Sequence, residues 1–232
     1  MKIIHRILAV YIISISLFSC SKDELLKESP SNINEAVSRP SIPISNDRVN
    51  IGSQIWMVKN LSVTKYRNGD LIPQVQDPAI WSQLTTAAWC YYLNDSSNGI
   101  IYGKLYNWYA VNDPRGLAPT GWHIPTKNEV SSLITYLGGS SLAPNAMKES
   151  GTIHWLSPNT ATNSSGFTGL PGGYRGDTGS FSNINSYGTW WTSSPTLGNP
   201  LYATSYFLPI GSNTGLPNTY IKGGFSVRCV KD

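Results

Sequence analysis

Charge is scarce in this chain. Asp, Glu, Lys and Arg make up 13% of its 232 residues, about half the usual ~25%. The formal net charge is +4, and two of those charges, Lys2 and Arg6, sit in the first six positions. With no basic cluster elsewhere, the electrostatic footprint of a nucleic-acid binder is missing. Histidine and cysteine are equally sparse, three of each, and no His/Cys/carboxylate spacing outlines a zinc site. No serine lies in a Gly-x-Ser-x-Gly elbow. The acids Asp70, Asp77, Asp95, Asp113 and Asp177 are widely scattered, so any carboxylate pair would have to be assembled by the fold. Apolar runs long enough to span a bilayer are also lacking. In their place are Ser, Thr, Asn and Gly, 40% hydrophobic residues, and eight tryptophans. That is the composition of a secreted or cell-surface module with neutral, hydrogen-bonding loops.

The N-terminus reads as an address. Lys2 and Arg6 precede the apolar run Ile7–Phe18, which has the length of a signal peptide. Leu17-Phe18-Ser19-Cys20 resembles a bacterial lipobox, with Cys20 the lipidated residue; the plainer alternative is a cleaved signal with a chance cysteine. Ser21-Lys22-Asp23-Glu24 looks like the surface-export signal of Bacteroidota lipoproteins, or simply the solvated start of a tether. The expected organisation is a signal peptide at 1–19, a lipidated flexible tether at 20–48 and one folded domain at 49–232. The expected location is the outer membrane, lipid-anchored and exposed at the cell surface, with the membrane a partner through the anchor.

Within the domain, Val49–Ile51 and Gln54–Val58 flank Gly52-Ser53 as a β-hairpin, and Asn68-Gly69 is a second turn. Ala87–Leu93 reads as an aromatic strand, followed by an Asn94–Gly99 loop. Tyr102–Val111 favours a short helix. The main helix begins at Thr126, whose capping box closes on Glu129; Val130, Leu133, Ile134 and Leu137 form its apolar face, and Gly138-Gly139 ends it. A short helix is expected over Pro144–Glu149. Tyr187–Ser193, Tyr202–Leu208 and Phe225–Val230 read as strands, the last with Phe225, Val227 and Cys229 on one face. The segment Asn163–Arg175, NSSGFTGLPGGYR, is too glycine-rich for regular structure. Phe167 and Tyr174 are expected to pin it in the core, Gly166, Gly169, Gly172 and Gly173 to turn it, and Arg175 to anchor it. The sum is an α+β fold: short antiparallel strands, one main helix over about 126–137, and one or two short helices.

Six pieces follow one another in a recognisable order. They are Gly103-Lys104-Leu105-Tyr106-Asn107-Trp108-Tyr109-Ala110; Gly121-Trp122-His123-Ile124-Pro125-Thr126 with Glu129; Asn163–Phe167; Leu170–Arg175; Trp190–Ser194; and Gly224–Cys229. Together they resemble the Fibrobacter succinogenes major paralogous domain family over roughly residues 50–231. That family has no established activity and is similar, more distantly, to formylglycine-generating enzymes and C-type-lectin-like folds. The resemblance implies a C-type-lectin-like architecture, loop-rich with helices on twisted sheets, and fold by itself does not fix function.

Candidate sites are few. Removing Cys20 leaves Cys90 and Cys229 as an even pair in an oxidising compartment, and the lectin-like fold would bring their strands together, which favours a disulfide over two buried thiols. A redox or copper site like that of formylglycine-generating enzymes would need two cysteines a few residues apart, and this chain has no such pair. Calcium is the one cofactor with candidate ligands, Asn94, Asp95, Asn98 and Asp177, although an Asx-turn explains the first three equally well. Trp56, Trp89 and Trp122 read as core. Trp190 and Trp191, adjacent in a strand, face opposite sides, so one is a candidate platform for a sugar ring or a protein; the alternative buries both under loops. His123 reads as a structural imidazole, His154 as a loop residue, and Arg175 and Arg228 as anchors for backbone carbonyls. No catalytic residues are assigned. The expected function is a surface-anchored, non-catalytic binding or adhesion module for glycan or protein ligands. A structural part of an outer-membrane assembly is the alternative, and an enzyme related to formylglycine-generating enzymes a more distant one.

Overall fold

The computed structural model describes residues 47–232. The signal segment, Cys20 and the tether as far as residue 46 lie outside the described residues. In chain order the elements are β1 (Arg48–Ile51), β2 (Gln54–Met57), α1 (Pro78–Ser82), β3 (Trp89–Cys90), α2 (Ser96–Tyr102), β4 (Leu105–Tyr106), α3 (Trp108–Val111) and β5 (Trp122–His123). They continue with α4 (Lys127–Tyr136), α5 (Ala143–Met147), β6 (Gly172–Arg175), β7 (Phe181–Ile184), β8 (Tyr187–Pro195), β9 (Tyr202–Pro209), β10 (Asn218–Tyr220) and β11 (Val230–Lys231). Three sheets result, in the orders β1-β2-β11-β5, β10-β9-β8-β6-β7 and β3-β4. Between these strands all pairings are antiparallel except the parallel β6–β8 pairing at Gly173↔Gly188, and isolated parallel bridges join Gln74 to Trp89, Lys148 to Gly169 and Trp190 to Ser226. The fold is α+β and rich in loops. Among the described residues no helix is long and apolar enough to cross a membrane.

Local signals produced local structure. β1 and β2 turn at Gly52, whose φ of 59° suits glycine. The α4 capping box is complete: Thr126 Oγ1 accepts from the Glu129 amide at 3.2 Å, and the Glu129 carboxylate accepts from the Thr126 amide at 2.7 Å. The helix buries Val130, Leu133 and Ile134, and Gly138 and Gly139 follow at φ 93° and 91°. α5 has Pro144 in its first turn and is shorter than expected.

The secondary structure departs from the expected elements at four places. Ala87–Leu93 contributes only the two residues of β3, because Leu93 and Asn94 take left-handed conformations at φ 53° and 58° and break the strand. The expected Asn94–Gly99 loop is mostly α2, started by Asp95, whose side chain accepts from the Ser97 amide at 2.8 Å. The expected Tyr102–Val111 helix is divided: Gly103 ends α2, β4 follows, and Asn107 caps α3. Phe225–Val230 is a strand only at its last residue. The preceding residues bridge in turn to Tyr106 and Trp190, and the Val227 and Cys229 carbonyls accept from the Leu61 and Met57 amides, so this segment threads between elements with all six residues buried.

β8 divides the core. Trp190 and Trp191 are both 0% exposed. Trp190 stacks on Tyr206 (centroids 5.3 Å apart, 17° between planes) in a cluster with Trp56, Leu133 and Phe167. Trp191 lies 4.5 Å from the Phe225 ring in the opposite cluster, with Trp89, Tyr106 and Val227. Adjacent residues do face opposite sides, but each side has its own core, so neither tryptophan is a platform. Trp122, expected in the core, is half-buried in β5. Phe167 is buried as expected, whereas Tyr174 is half-buried against Phe225. Gly166 turns the chain, but Gly172 and Gly173 belong to β6. Gly173 has φ 62°, and a Cβ there would meet the Ser182 carbonyl oxygen at 2.6 Å.

Cys90 and Cys229 are free and buried, which corrects the expected disulfide. They belong to different clusters, Cys90 with Trp81, Ala88 and Leu105, Cys229 with Tyr106, Val227 and Trp191. Burial pushes the Cys90 thiol up to about 11 and the Cys229 thiol up to about 12. Both are therefore expected to stay unreactive towards an aromatic disulfide reagent at pH 8 in the folded domain and to react together on denaturation. One fast-reacting thiol in the native state would contradict this placement.

His123 ties the main helix to the end of the chain. Its Nε2 lies 2.7 Å from Glu129 Oε1 and its Nδ1 2.8 Å from Asp232 Oδ1. Burial pulls its pKa down, but the hydrogen bonds to Glu129 and Asp232 outweigh this and raise it. A raised folded pKa stabilises fully below the unfolded value of ~6.5 and the effect is lost as pH rises through the folded value. Glu129 has the opposite sign: its pKa is lowered, since hydrogen bonds from Thr126 and His123 overcome burial, so its contribution is lost in acid. His123→Gln should therefore flatten the decline in stability above about pH 6.5, by less than ~1 kcal/mol because the imidazole is partly exposed. Urea denaturation from pH 5 to 9 measures it, and parallel wild-type and variant profiles would refute it.

Candidate binding surface

The β9–β10 ladder places four side chains on one face. Tyr202 is paired with Tyr220 and Thr204 with Asn218. Directly opposed residues share a face, as do residues two apart, so the tyrosine pair stands about 7 Å along the strands from the Thr204–Asn218 pair. The tyrosine rings meet edge to face, 5.6 Å apart at 69°. Tyr202 is 37% exposed and Tyr220 is half-buried.

Asn218, exposed, and Thr204, only 2% exposed, lie on one side of a cleft of about 560 Å³. The other walls are the start of α4 and the end of β8, from Ser194 to Leu197. Ser194 Oγ accepts from the Lys127 amide at 2.9 Å, and the Ser193 amide donates to the Pro125 carbonyl at 2.9 Å, which fixes these walls together. A register shift between Trp191 and Pro195 bends β8 here. No carboxylate lines this cleft, Lys127 is its one charged residue, and Thr196 Oγ1 is buried without a partner among the described residues. The β8–β9 tip carries Leu197, 95% exposed.

A second cleft of about 460 Å³ lies between α3 and the ends of β9 and β10. Pro200 and Ile221, close neighbours of Tyr202 and Tyr220 in the chain, line it together with Thr86, Tyr109, Asn112 and Asp113. Asn107 assembles its walls: its Oδ1 accepts from the Ala88 and Ala110 amides at 3.0 and 3.1 Å, and its Nδ2 donates to the Thr86 carbonyl at 2.8 Å. Burial, and then the Tyr220 phenol, push the Tyr109 hydroxyl up. The charges here are already paired: Arg115 binds both Asp113 oxygens at 2.8 Å and Asp70 at 3.1 Å, holding the Asp113 carboxyl down to about 2.

A third cleft, about 440 Å³, has Asn60 and Arg228 among its lining residues, Glu149 opposite, and the exposed Ile100 and Ile101 nearby. Glu149 is bound by His154 Nδ1 at 2.9 and 3.0 Å, and the His154 ring lies 5.9 Å from that of Tyr102. His154 thus has a defined partner that its sequence context did not reveal.

The calcium candidates do not converge, and the Asn94 Oδ1 is buried without a partner among the described residues. Asn94 donates to the Gln76 carbonyl, Asp95 caps α2, Asn98 donates to the Tyr92 carbonyl, and Asp177 is exposed in the β6–β7 turn. Among the described residues no three His, Cys, Asp or Glu side chains converge as metal ligands. The tyrosine pair went unnoticed in the sequence, though Tyr-x-Thr at 202–204 and Asn-x-Tyr at 218–220 carry the two-residue period that would place each pair on one face.

Fold and surface together define a loop-rich α+β module with a paired tyrosine surface on the same face as one polar cleft. The chain belongs to the Fibrobacter succinogenes major domain family, whose model matches residues 49–231. Comparison with curated proteins gave no match, and comparison with solved structures gave none.

Proposed function

We propose that this domain is a non-catalytic binding module for neutral glycans, held at the outer-membrane surface by a lipid on Cys20. The observation that carries the reading is the Tyr202–Tyr220 pair beside a cleft lined by Thr, Ser and Asn side chains and no carboxylate. Aromatic faces suit the C–H face of a pyranose, and tyrosine adds a hydroxyl at little entropy cost. The cleft volume falls within the ~300–1,000 Å³ typical of small-ligand sites. A C-type-lectin-like architecture is part of this proposal, supported by short helices packed on loop-rich antiparallel sheets.

Glycan-array binding by the isolated domain tests the reading. Tyr202→Ala and Tyr220→Ala should each weaken binding about tenfold, or ~1.4 kcal/mol, without changing the melting temperature much. No binding across a broad neutral panel, or wild-type binding by both variants, would sink it. For the anchor, Cys20→Ser should abolish acylation and release the protein from membranes; retention would count against lipidation. A structural role in a surface assembly is the second reading, favoured by the exposed Ile100 (89%) and Leu197 (95%). It requires a stable partner in outer-membrane pull-downs that Ile100→Asp or Leu197→Asp removes.

A further inference from the structure

A fourth cleft, of about 390 Å³, lies between the far half of α4 and the β1–β2 turn, and neither Tyr202 nor Tyr220 lines it. The helix supplies Ser131, Ser132, Thr135 and Tyr136, which at spacings of three and four residues share one exposed face. The turn supplies Gly52 and Ser53, with the buried Ile51 and the half-buried Gln54 beside them. The fold does not call for the helix side chains. The buried face of α4 is Val130, Leu133 and Ile134, and Tyr136 stands off it, 66% exposed. Ser, Thr and Tyr are also weaker helix formers than the Ala, Glu or Lys that suit an exposed helix face. Gln54 is committed within the protein: its Nε2 donates to the Glu129 carbonyl at 3.1 Å and its Oε1 accepts from Trp56 Nε1 at 3.2 Å. The hydroxyls of Ser131, Ser132 and Thr135 are exposed and make no hydrogen bond among the described residues.

The Tyr136 ring has a fixed seat. A Cβ at Gly52 would meet three of its atoms at 3.1, 3.2 and 3.3 Å, so only glycine lets the ring lie this close to the turn. A ring held this way is a preformed platform, which lowers the entropy lost on binding. Charge narrows the ligand. No charged side chain lines the cleft. It adjoins the C-terminal turn of α4, whose carbonyl end is partly negative and disfavours anions. A cation would find that helix end but no carboxylate. A neutral sugar matches both halves of the site. Its apolar C–H face suits the tyrosine ring. Its hydroxyls exchange hydrogen bonds with serine and threonine, which both donate and accept. The volume lies near the low end of the ~300–1,000 Å³ of small-ligand sites, enough for one or two sugar units.

We propose that the Tyr136 cleft is a second carbohydrate site, taking one or two units of a neutral sugar independently of the Tyr202–Tyr220 surface. It uses neither tyrosine of that pair, so the two sites stand or fall separately.

Saturation-transfer NMR on the full-length protein in detergent tests it, with glucose, galactose, mannose, N-acetylglucosamine and cellobiose as probes. The variant Tyr202→Ala/Tyr220→Ala should still transfer saturation to at least one sugar. Adding Tyr136→Ala to that background should weaken the transfer at least tenfold, with the melting temperature unchanged because the ring is exposed. Tyr136→Trp should restore it by keeping a flat face, and Tyr136→Leu should not. Loss of all transfer in Tyr202→Ala/Tyr220→Ala would overturn the second site and leave the first. Transfer indifferent to Tyr202 and Tyr220 but lost with Tyr136→Ala would support the second site and remove the first. Transfer that survives all three substitutions, or is absent for every sugar, overturns both. Choline transferring more strongly than any sugar, in a manner lost with Tyr136→Ala, would overturn the ligand class.

Discussion

Arg228→Ala is expected to destabilise the domain by about 3 kcal/mol, read as a fall of roughly 6–12 °C in melting temperature for a domain of this size. The guanidinium is buried with no acid beside it. Its Nε and Nη2 donate to Asn60 Oδ1 at 3.1 and 2.8 Å, its Nη1 to the Phe167 carbonyl, and its Nη2 again, weakly, to the Thr168 carbonyl. It also lies 4.2 Å from the Phe167 ring centroid. Two opposing effects decide the outcome. Removing a buried charge relieves a desolvation cost, which is why burial lowers the Arg228 pKa to about 10. Against this, the Phe167 and Thr168 carbonyls lose their donor inside the fold, at ~1–3 kcal/mol each, and an alanine leaves a cavity. The losses win because these carbonyls belong to the glycine-rich segment, which has little regular structure to satisfy them otherwise. Arg228→Met separates the two contributions: it fills the cavity and still orphans the carbonyls, so it should recover only part of the loss. A change below about 1 kcal/mol for the alanine variant would refute the account.

Arg175 shows the same device at the other end of that segment. It donates to the Gly179, Val75 and Gln76 carbonyls at 2.9, 2.7 and 2.8 Å and lies 4.4 Å from the Trp81 ring centroid. Both arginines were legible in the sequence as carbonyl anchors, because a long cation in an irregular, acid-poor segment has few other partners. The α4 capping box and the β1–β2 hairpin were legible for a different reason: their chemistry is complete within a few residues. What escaped the sequence depended on contacts between distant segments. Trp190 and Trp191 alternate correctly, yet only the packing of Phe225–Val227 on one side and Tyr206 on the other decides that neither is exposed. The cysteines read as an even pair, but pairing depends on where β3 and the chain end are placed, and the fold separates them into different clusters. The tyrosine pair depends on the register of β9 against β10, set across a connection that bridges back to β9 at Phe207↔Gly215.

Trp190→Ala is expected to cost about 3–5 kcal/mol, the usual range for emptying a buried tryptophan site, and to do so in concert with Arg228. The indole is enclosed by Tyr206 on its face and Phe167 at its edge, 6.0 Å between centroids. Its Nε1 donates to Asn60 Oδ1 at 2.8 Å, the same oxygen that takes two bonds from Arg228. Asn60 in turn donates to the Tyr102 carbonyl at 2.8 Å, linking α2 to the centre. One amide oxygen thus joins a tryptophan, an arginine and a helix end. Removing either donor loosens the other's partner, so the double variant Trp190→Ala/Arg228→Ala should lose less than the sum of the single losses by at least ~1 kcal/mol. Chemical denaturation of the four proteins closes the cycle. Trp191→Ala, which faces the opposite cluster and bonds the Tyr106 carbonyl, provides the control: combined with Arg228→Ala it should come closer to additivity. If Trp190→Ala instead left stability intact while abolishing glycan binding, the tryptophan would be a surface platform after all, and β8 could not divide the core as described.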